Sequence, residues 1–139
     1  PVSGSGKTTF TLGLLRVLQQ RGLRTQTFKC GTDCLDTQYH SIAAGYDSVN
    51  LDAWLASDSH IQSVYNKYAE KADVCITEGS MGLFDGYNRM QGSNAHIARL
   101  LKIPVILVLN ARATAYSVAP DIVWIQTFRE FGSCSRCYF

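Results

Sequence analysis

Seven residues near the start of the chain, Ser3-Gly4-Ser5-Gly6-Lys7-Thr8-Thr9, combine an ammonium, four hydroxyls and two glycines. That combination suits a phosphate-binding loop running into a helix. Glycines let the backbone curl so that successive N–H groups point at phosphate oxygens. The helix that follows offers unpaired N–H groups and a positive dipole end to the same anion. Lys7 can reach the β- and γ-phosphates as a flexible point charge, and the Thr8 hydroxyl can ligate Mg²⁺. The expected ligand is therefore a nucleoside triphosphate, taken as ATP with Mg²⁺. The strict pattern G-x-x-x-x-G-K-[ST] needs a glycine where Pro1 stands, but the G-K-T half running into Phe10-Thr11-Leu12-Gly13-Leu14-Leu15 is intact. A plain Gly/Ser turn capping an ordinary helix is the competing reading; motif and helix together favour the nucleotide. A strand normally precedes such a loop, and the sequence leaves no room for one before Pro1, which reads as a loop without its anchoring strand.

Acidic residues supply the other half of the chemistry. Glu78 directly follows the apolar stretch Val74-Cys75-Ile76-Thr77, where phosphate-binding folds place a carboxylate on Mg²⁺, directly or through water. Asp33 and Asp36 follow the segment ending at Lys29, and Asp85 lies in Gly82-Leu83-Phe84-Asp85-Gly86. Acids converging on a triphosphate repel it unless a cation sits between them, so Mg²⁺ belongs to the reading. Each aspartate could equally bond its own loop backbone. His40 is a candidate ligand or base, although a lone histidine is more often neither. His60 and His96 read as helix surface or core, and Tyr65 and Tyr68 as core-facing.

These groups need elements to position them. Thr8 to Gln20 has helical periodicity, ended by Arg21-Gly22. Arg24 to Cys30 reads as a strand. Gly31 to Asn50 is polar, with a short helix near Gln38 to Ala44. A helix capped at Asp58 or Ser59 reaches about Lys71, and Asp73 to Thr77 reads as a buried strand. Gly79 to Gly92 is a loop, Asn94 to Lys102 a helix, and Pro104-Val105-Ile106-Leu107-Val108-Leu109 a central parallel strand. Alternating strands and helices predict an α/β fold with a parallel sheet. The site is then expected beyond the carboxyl ends of the strands, at Lys29 to Asp36, Thr77 to Asp85 and Asn110 to Thr114.

Composition narrows the function classes. The 139 residues make one domain at most, with 46% hydrophobic residues to build a core and a net charge of +2. That charge gives no strong pull on nucleic acid, so no nucleic-acid partner is expected. No apolar run is long enough to span a bilayer and no signal segment opens the chain, so the expected compartment is cytoplasmic, without a membrane partner. An odd count of five cysteines argues against a disulfide framework, and Cys30, Cys34 and Cys75 read as thiols.

Several runs occur in a telling order: Ser3 to Thr9; Phe28-Lys29-x-Gly31-x-Asp33-x-x-Asp36; His40; Asn50-Leu51-Asp52; Glu78-Gly79-x-Met81-Gly82-Leu83-Phe84-Asp85-Gly86; Gly92-Ser93-x-Ala95-His96; and a strand ending at Asn110. From Pro1 to about Pro120 the chain resembles the ATP-binding domain of the cobyrinate a,c-diamide synthase family. The resemblance implies a three-layer P-loop NTPase-type fold with a mostly parallel sheet, incomplete at both ends. It implies a carbon–nitrogen ligase in cobalamin biosynthesis: ATP phosphorylates a carboxylate on a corrinoid, and ammonia from glutamine displaces the phosphate, first at c and then at a. Ser3, Gly4, Ser5, Gly6, Lys7, Thr8, Thr9 and Asn110 would then contact the nucleotide. Thr8, Asp33 and Glu78 would hold Mg²⁺, while Asp33, Asp36 and Asp85 would serve the reacting carboxylate. A homodimer is left open.

The chain also departs from the family. Gly31-Thr32-Asp33-Cys34-Leu35-Asp36-Thr37 keeps both acids of the common Gly-Pro-Asp-Tyr-Ile-Asp-Pro but not its prolines or tyrosine, and Asn110 stands where Asp is common. A partitioning-type regulatory ATPase would carry a lysine at Val2, and cobyric acid synthase a Gln-Asn motif at Gly31-Thr32. Another tetrapyrrole substrate and an inactive fragment stay open. The glutamine-hydrolysing domain of the family has no counterpart in these residues. The tail 121–139 is atypical: the codons of Val123 to Phe128, read one base later, permit the family's Gly-Phe, so a shifted frame and an accidental Cys134/Cys137 pair are expected.

Overall fold

The computed structural model describes residues 3–112, 116–120, 122–123 and 137–138. Helix α1 (Lys7–Gln20) leads to strand β1 (Thr25–Cys30), helix α2 (Cys34–Ala44), strand β2 (Val49–Leu51), helix α3 (Asp58–Ala69) and strand β3 (Val74–Glu78). Helix α4 (Asn94–Leu101) and the two-residue strands β4 (Val105–Ile106) and β5 (Cys137–Tyr138) follow. The three main strands form a parallel sheet in the order β2-β1-β3, as the α/β pattern predicts.

Side chains alternate across that sheet. Phe28 and Cys30 of β1, with Leu51 of β2, pack against Ile61 of α3 and Ile97 of α4. Phe28 is fully buried and lies with its ring centroid 4.7 Å from that of Tyr65. Thr25, Thr27 and Lys29 fall on the opposite face by the strand period of two, and all are buried there. Helices α1 and α2 pack together on that side. The result is three layers, with α1 and α2 on one face and α3 and α4 on the other.

The connections set the position of the site. The chain passes from β1 through α2 to β2 on one side, then returns through α3 to β3 on the other. The strand order reverses between β1 and β3, and the carboxyl ends of the strands at such a point open a crevice. The parallel register places Lys29 directly beside Glu78 at that end.

Two elements differ from expectation. Helix α2 begins at Cys34 rather than Gln38, because Asp33 supplies the cap: its carboxylate accepts from the N–H groups of Leu35 and Asp36. After that helix, at the end of the polar stretch, Val49–Leu51 forms the strand β2, which the sequence hides in three residues. The run from Pro104 to Leu109, expected as a central strand, is the larger correction. Only Val105–Ile106 is strand; it pairs with Cys137–Tyr138 in a separate two-stranded sheet. Ile106 is 53% exposed. Hydrophobicity alone does not place a strand in a sheet; it needs a neighbouring ladder, and among the described residues none joins this run to β3. A cavity of about 470 Å³ instead lies between them, with walls from Cys75 to Gly79, residues 103–108, and faces of α1 and α4. Cys134 and most of the tail lie outside the described residues, and so does the question of its reading frame. No helix of the described residues is long and apolar enough to cross a membrane.

Candidate functional site

Gly4 and Gly6 have φ of +79° and +92°, the left-handed region that side chains disfavour, and a Cβ at either would meet nothing within 4 Å. The loop is therefore shaped by its backbone and open where side chains at these positions would project. Gly6 caps α1 without a side-chain hydrogen bond, and the first turn of α1 carries no acid. The uncompensated N–H groups and dipole suit an anion there. Ser5 Oγ is buried with no hydrogen-bond partner, a polar atom that a phosphate oxygen would satisfy. These observations fit a nucleotide phosphate.

Behind the loop, one carboxylate collects three neighbours. Glu78, 4% exposed, accepts from the Thr8 hydroxyl at 2.6 Å and from Lys29 Nζ at 2.9 Å, both on Oε1. Its other oxygen, Oε2, lies 2.6 Å from Nε2 of the fully buried His40. Lys29 also donates to Asp36 Oδ2 at 2.6 Å. Burial by itself raises the Glu78 carboxyl, but the hydrogen bonds from His40, Thr8 and Lys29 outweigh it and hold the pKa at about 2. The carboxylate is thus ionised, and His40 Nε2 carries the proton in that bond. Burial likewise pulls the Lys29 ammonium down, yet its bonds to Asp36 and Glu78 prevail and raise it. Ser48 Oγ, 3.4 Å from His40 Nδ1, faces the far side of the ring.

The structure sorts the expected site residues. Thr8, Glu78 and Asp36 come together, the last through Lys29. Asp33 is not among them: its Oδ1 is engaged in capping α2, and bonds from the Asp36 and Leu35 backbone N–H groups hold its carboxyl below the usual range. Asp85 accepts from the Gly82 N–H within its own loop, and the Asn110 side chain accepts from the Arg112 N–H. Both thus make the local backbone bonds typical of Asx residues in turns. Two residues of the cluster entered the sequence reading without an assigned role in the site: Lys29 as the first residue of an expected site segment, and His40 as a candidate ligand or base. Lys29 sits in a strand, where its alternation with Phe28 and Cys30 and its position at the strand end were the available signals. For His40 the spacing of four residues from Asp36 was a further signal.

Mg²⁺ asks for little protein: one or two carboxylates, with hydroxyl, phosphate and water completing its octahedron. Among the described residues no group of three or more His, Cys, Asp or Glu side chains converges as a metal cage. The hard oxygens of Thr8 and Glu78, 2.6 Å apart beside the loop, match the smaller requirement.

The loop around Asp85 is also firmly built. Asn94 bridges the Ser80 N–H and the carbonyls of Met81 and Gly82. A Cβ on Gly79 would lie 2.7 Å from the Asn94 side chain. The rings of Trp54 and Tyr87 meet at a 47° tilt with centroids 5.9 Å apart, linking this loop to the one after β2.

Comparison with known proteins agrees with this architecture. Residues 1–118 match the model of the CobQ/CobB/MinD/ParA nucleotide binding domain. The chain is 46% identical over 129 residues to the cobyrinate a,c-diamide synthase of Listeria monocytogenes serotype 4b, covering 91% of this chain and 28% of that protein. It is 45% identical over 131 residues to the hydrogenobyrinate a,c-diamide synthase of Brucella anthropi, covering 94% and 30% respectively. The chain therefore spans less than a third of the curated relatives it matches. With a glycine loop, a helix N-terminus and a strand-end carboxylate in P-loop arrangement, and a match over most of its length, this chain belongs to the CobQ/CobB/MinD/ParA nucleotide-binding family.

Proposed function

We propose that this chain is the ATP-binding part of a ligase that amidates the c and a carboxylates of a corrinoid, as the names of its relatives suggest. The observation that carries the reading is the convergence of Thr8, Lys29 and, through Lys29, Asp36 on Glu78 behind an open glycine loop. Bound ATP would supply the phosphoryl group that turns a carboxylate into an acyl phosphate, and Mg²⁺ would neutralise its charge. Loop residues Ser3, Gly4, Ser5, Gly6 and Thr9, with the α1 N-terminus, bind and orient the phosphates. Lys7 adds positive charge at the same end. Thr8 and Glu78 are the residues to hold the metal. Asp36, bonded to Lys29, would fix the cationic groups against the incoming substrate, and the resemblance alone assigns Asp33 and Asp85 to the reacting carboxylate. No protein nucleophile is needed, since the substrate carboxylate attacks; the work is positioning and charge neutralisation. Ammonia, from glutamine in the full-length protein, completes the amide.

The test is nucleotide binding by the purified chain, with and without Mg²⁺. Lys7→Ala should weaken ATP binding by about tenfold or more, as expected when a charge-assisted phosphate contact is lost. Equal binding by both proteins ends the nucleotide reading of the loop. For the corrinoid, the full-length protein should release ADP from ATP only when cobyrinate or hydrogenobyrinate is present.

A further inference from the structure

We propose that Lys29 is a resident cation that keeps the metal position closed until nucleotide arrives, so that metal binding follows nucleotide binding. The inference rests on the ATP reading above and concerns the order of loading. Lys29 is 2% exposed and spans two carboxylates, 2.6 Å from Asp36 and 2.9 Å from Glu78. It meets Glu78 on Oε1, the same oxygen that accepts from Thr8. A divalent cation bound by Thr8 and Glu78 would sit about 2 Å from both oxygens. It would then be close to the ammonium and repelled by it across a buried, poorly screened space.

The carboxylate has no other oxygen to offer. His40, itself fully buried, holds Oε2 from the far side at 2.6 Å. Oε1 is therefore the oxygen that faces the loop, and Lys29 competes for it. In the metal-free site Lys29 neutralises Glu78 and Asp36, which would otherwise attract a metal ion without nucleotide. Triphosphate oxygens offer the ammonium a new partner. Movement of Lys29 Nζ toward them frees Oε1 for the metal, and Asp36 remains as an anchor on the retreating side chain. By linkage, nucleotide then tightens metal binding and metal tightens nucleotide binding by the same factor.

Mn²⁺ titration of the 139-residue chain, read by the electron paramagnetic resonance of free Mn²⁺, tests this without any turnover. Wild type should bind Mn²⁺ weakly alone, and at least about tenfold more tightly with a non-hydrolysable ATP analogue. Lys29→Gln should bind Mn²⁺ alone at least about tenfold more tightly than wild type, because the opposing charge is gone. Lys29→Arg, which keeps the charge, should stay closed. Circular dichroism establishes that each variant is folded. The proposal falls if Lys29→Gln gains nothing, or if Lys29→Arg opens as far as Lys29→Gln. It falls equally if wild type alone binds Mn²⁺ as tightly as with the analogue, a result that needs no variant to fold. Nucleotide binding is followed separately with a fluorescent ATP analogue: its loss overturns the ATP reading, whereas the metal-only arms report on Lys29 alone.

Discussion

Glu78 is the residue on which the proposed chemistry turns, because its two oxygens have different neighbours. Oε2 belongs to His40 and Oε1 to Thr8 and Lys29. That division keeps the carboxyl ionised while buried, with a pKa of about 2 against an ordinary 4.5. A carboxyl whose pKa is lower in the folded than in the unfolded chain contributes stability above the ordinary value and loses it as pH falls through the folded value. In the metal-free chain this contribution should be fully present at pH 6 and decline between about pH 4.5 and 2. The denaturation midpoint of wild type should therefore fall across that window more steeply than that of Glu78→Gln. Parallel curves for the two proteins would show that the cluster does not hold the ionised form. Glu78 and Thr8 were legible in the sequence because they stand at fixed places in a local pattern. Lys29 had no role assigned, since nothing local distinguishes a strand lysine that turns inward, and His40 was legible only as a candidate ligand or base.

At the scale of elements, caps and registers carry the site. Asp33 starts α2 and thereby aims Asp36 back at Lys29; the same aspartate is thus committed to the backbone. Ser93 plays the matching role for α4. It is fully buried, accepts from the His96 N–H and begins the helix whose Asn94 ties down the loop after β3. Ser93→Ala should destabilise the chain by about 1–2 kcal/mol, the cost of a lost cap with a buried polar group left unpaired. Urea denaturation measures it, and a change within error of zero would mean that the cap is replaced locally. The parallel register of β1 and β3 does for Lys29 and Glu78 what no sequence pattern could: it sets side by side two residues that lie far apart in the chain.

For the whole molecule, one packed layer supports the site from behind. Phe28 joins β1 to α3 through Tyr65 and is the residue next to Lys29. Phe28→Ala should cost about 3–5 kcal/mol, the usual range for emptying such a volume in a core. Chemical denaturation reads the loss; a cost under about 1 kcal/mol would mean that α3 and α4 close over the space. The other side of β3 is looser, with the 470 Å³ cavity separating it from residues 103–108. Burial there also tunes the thiols: it pushes Cys30 up to about 12 and raises Cys75, so neither is primed as a nucleophile.

The sequence by itself determined the ligand class and the alternation of elements. A glycine loop before a helix, and an acid after an apolar strand, are local arrangements whose chemistry depends on neighbours a few residues away. The tertiary structure alone decided which charges meet. It brought Lys29 and His40 to Glu78, gave Asp33 to a helix cap, and kept an apolar six-residue run out of the main sheet. The reason is physical: a hydrogen bond between strands or a buried ion pair depends on register and packing across many residues, which hydrophobicity and spacing along the chain do not encode.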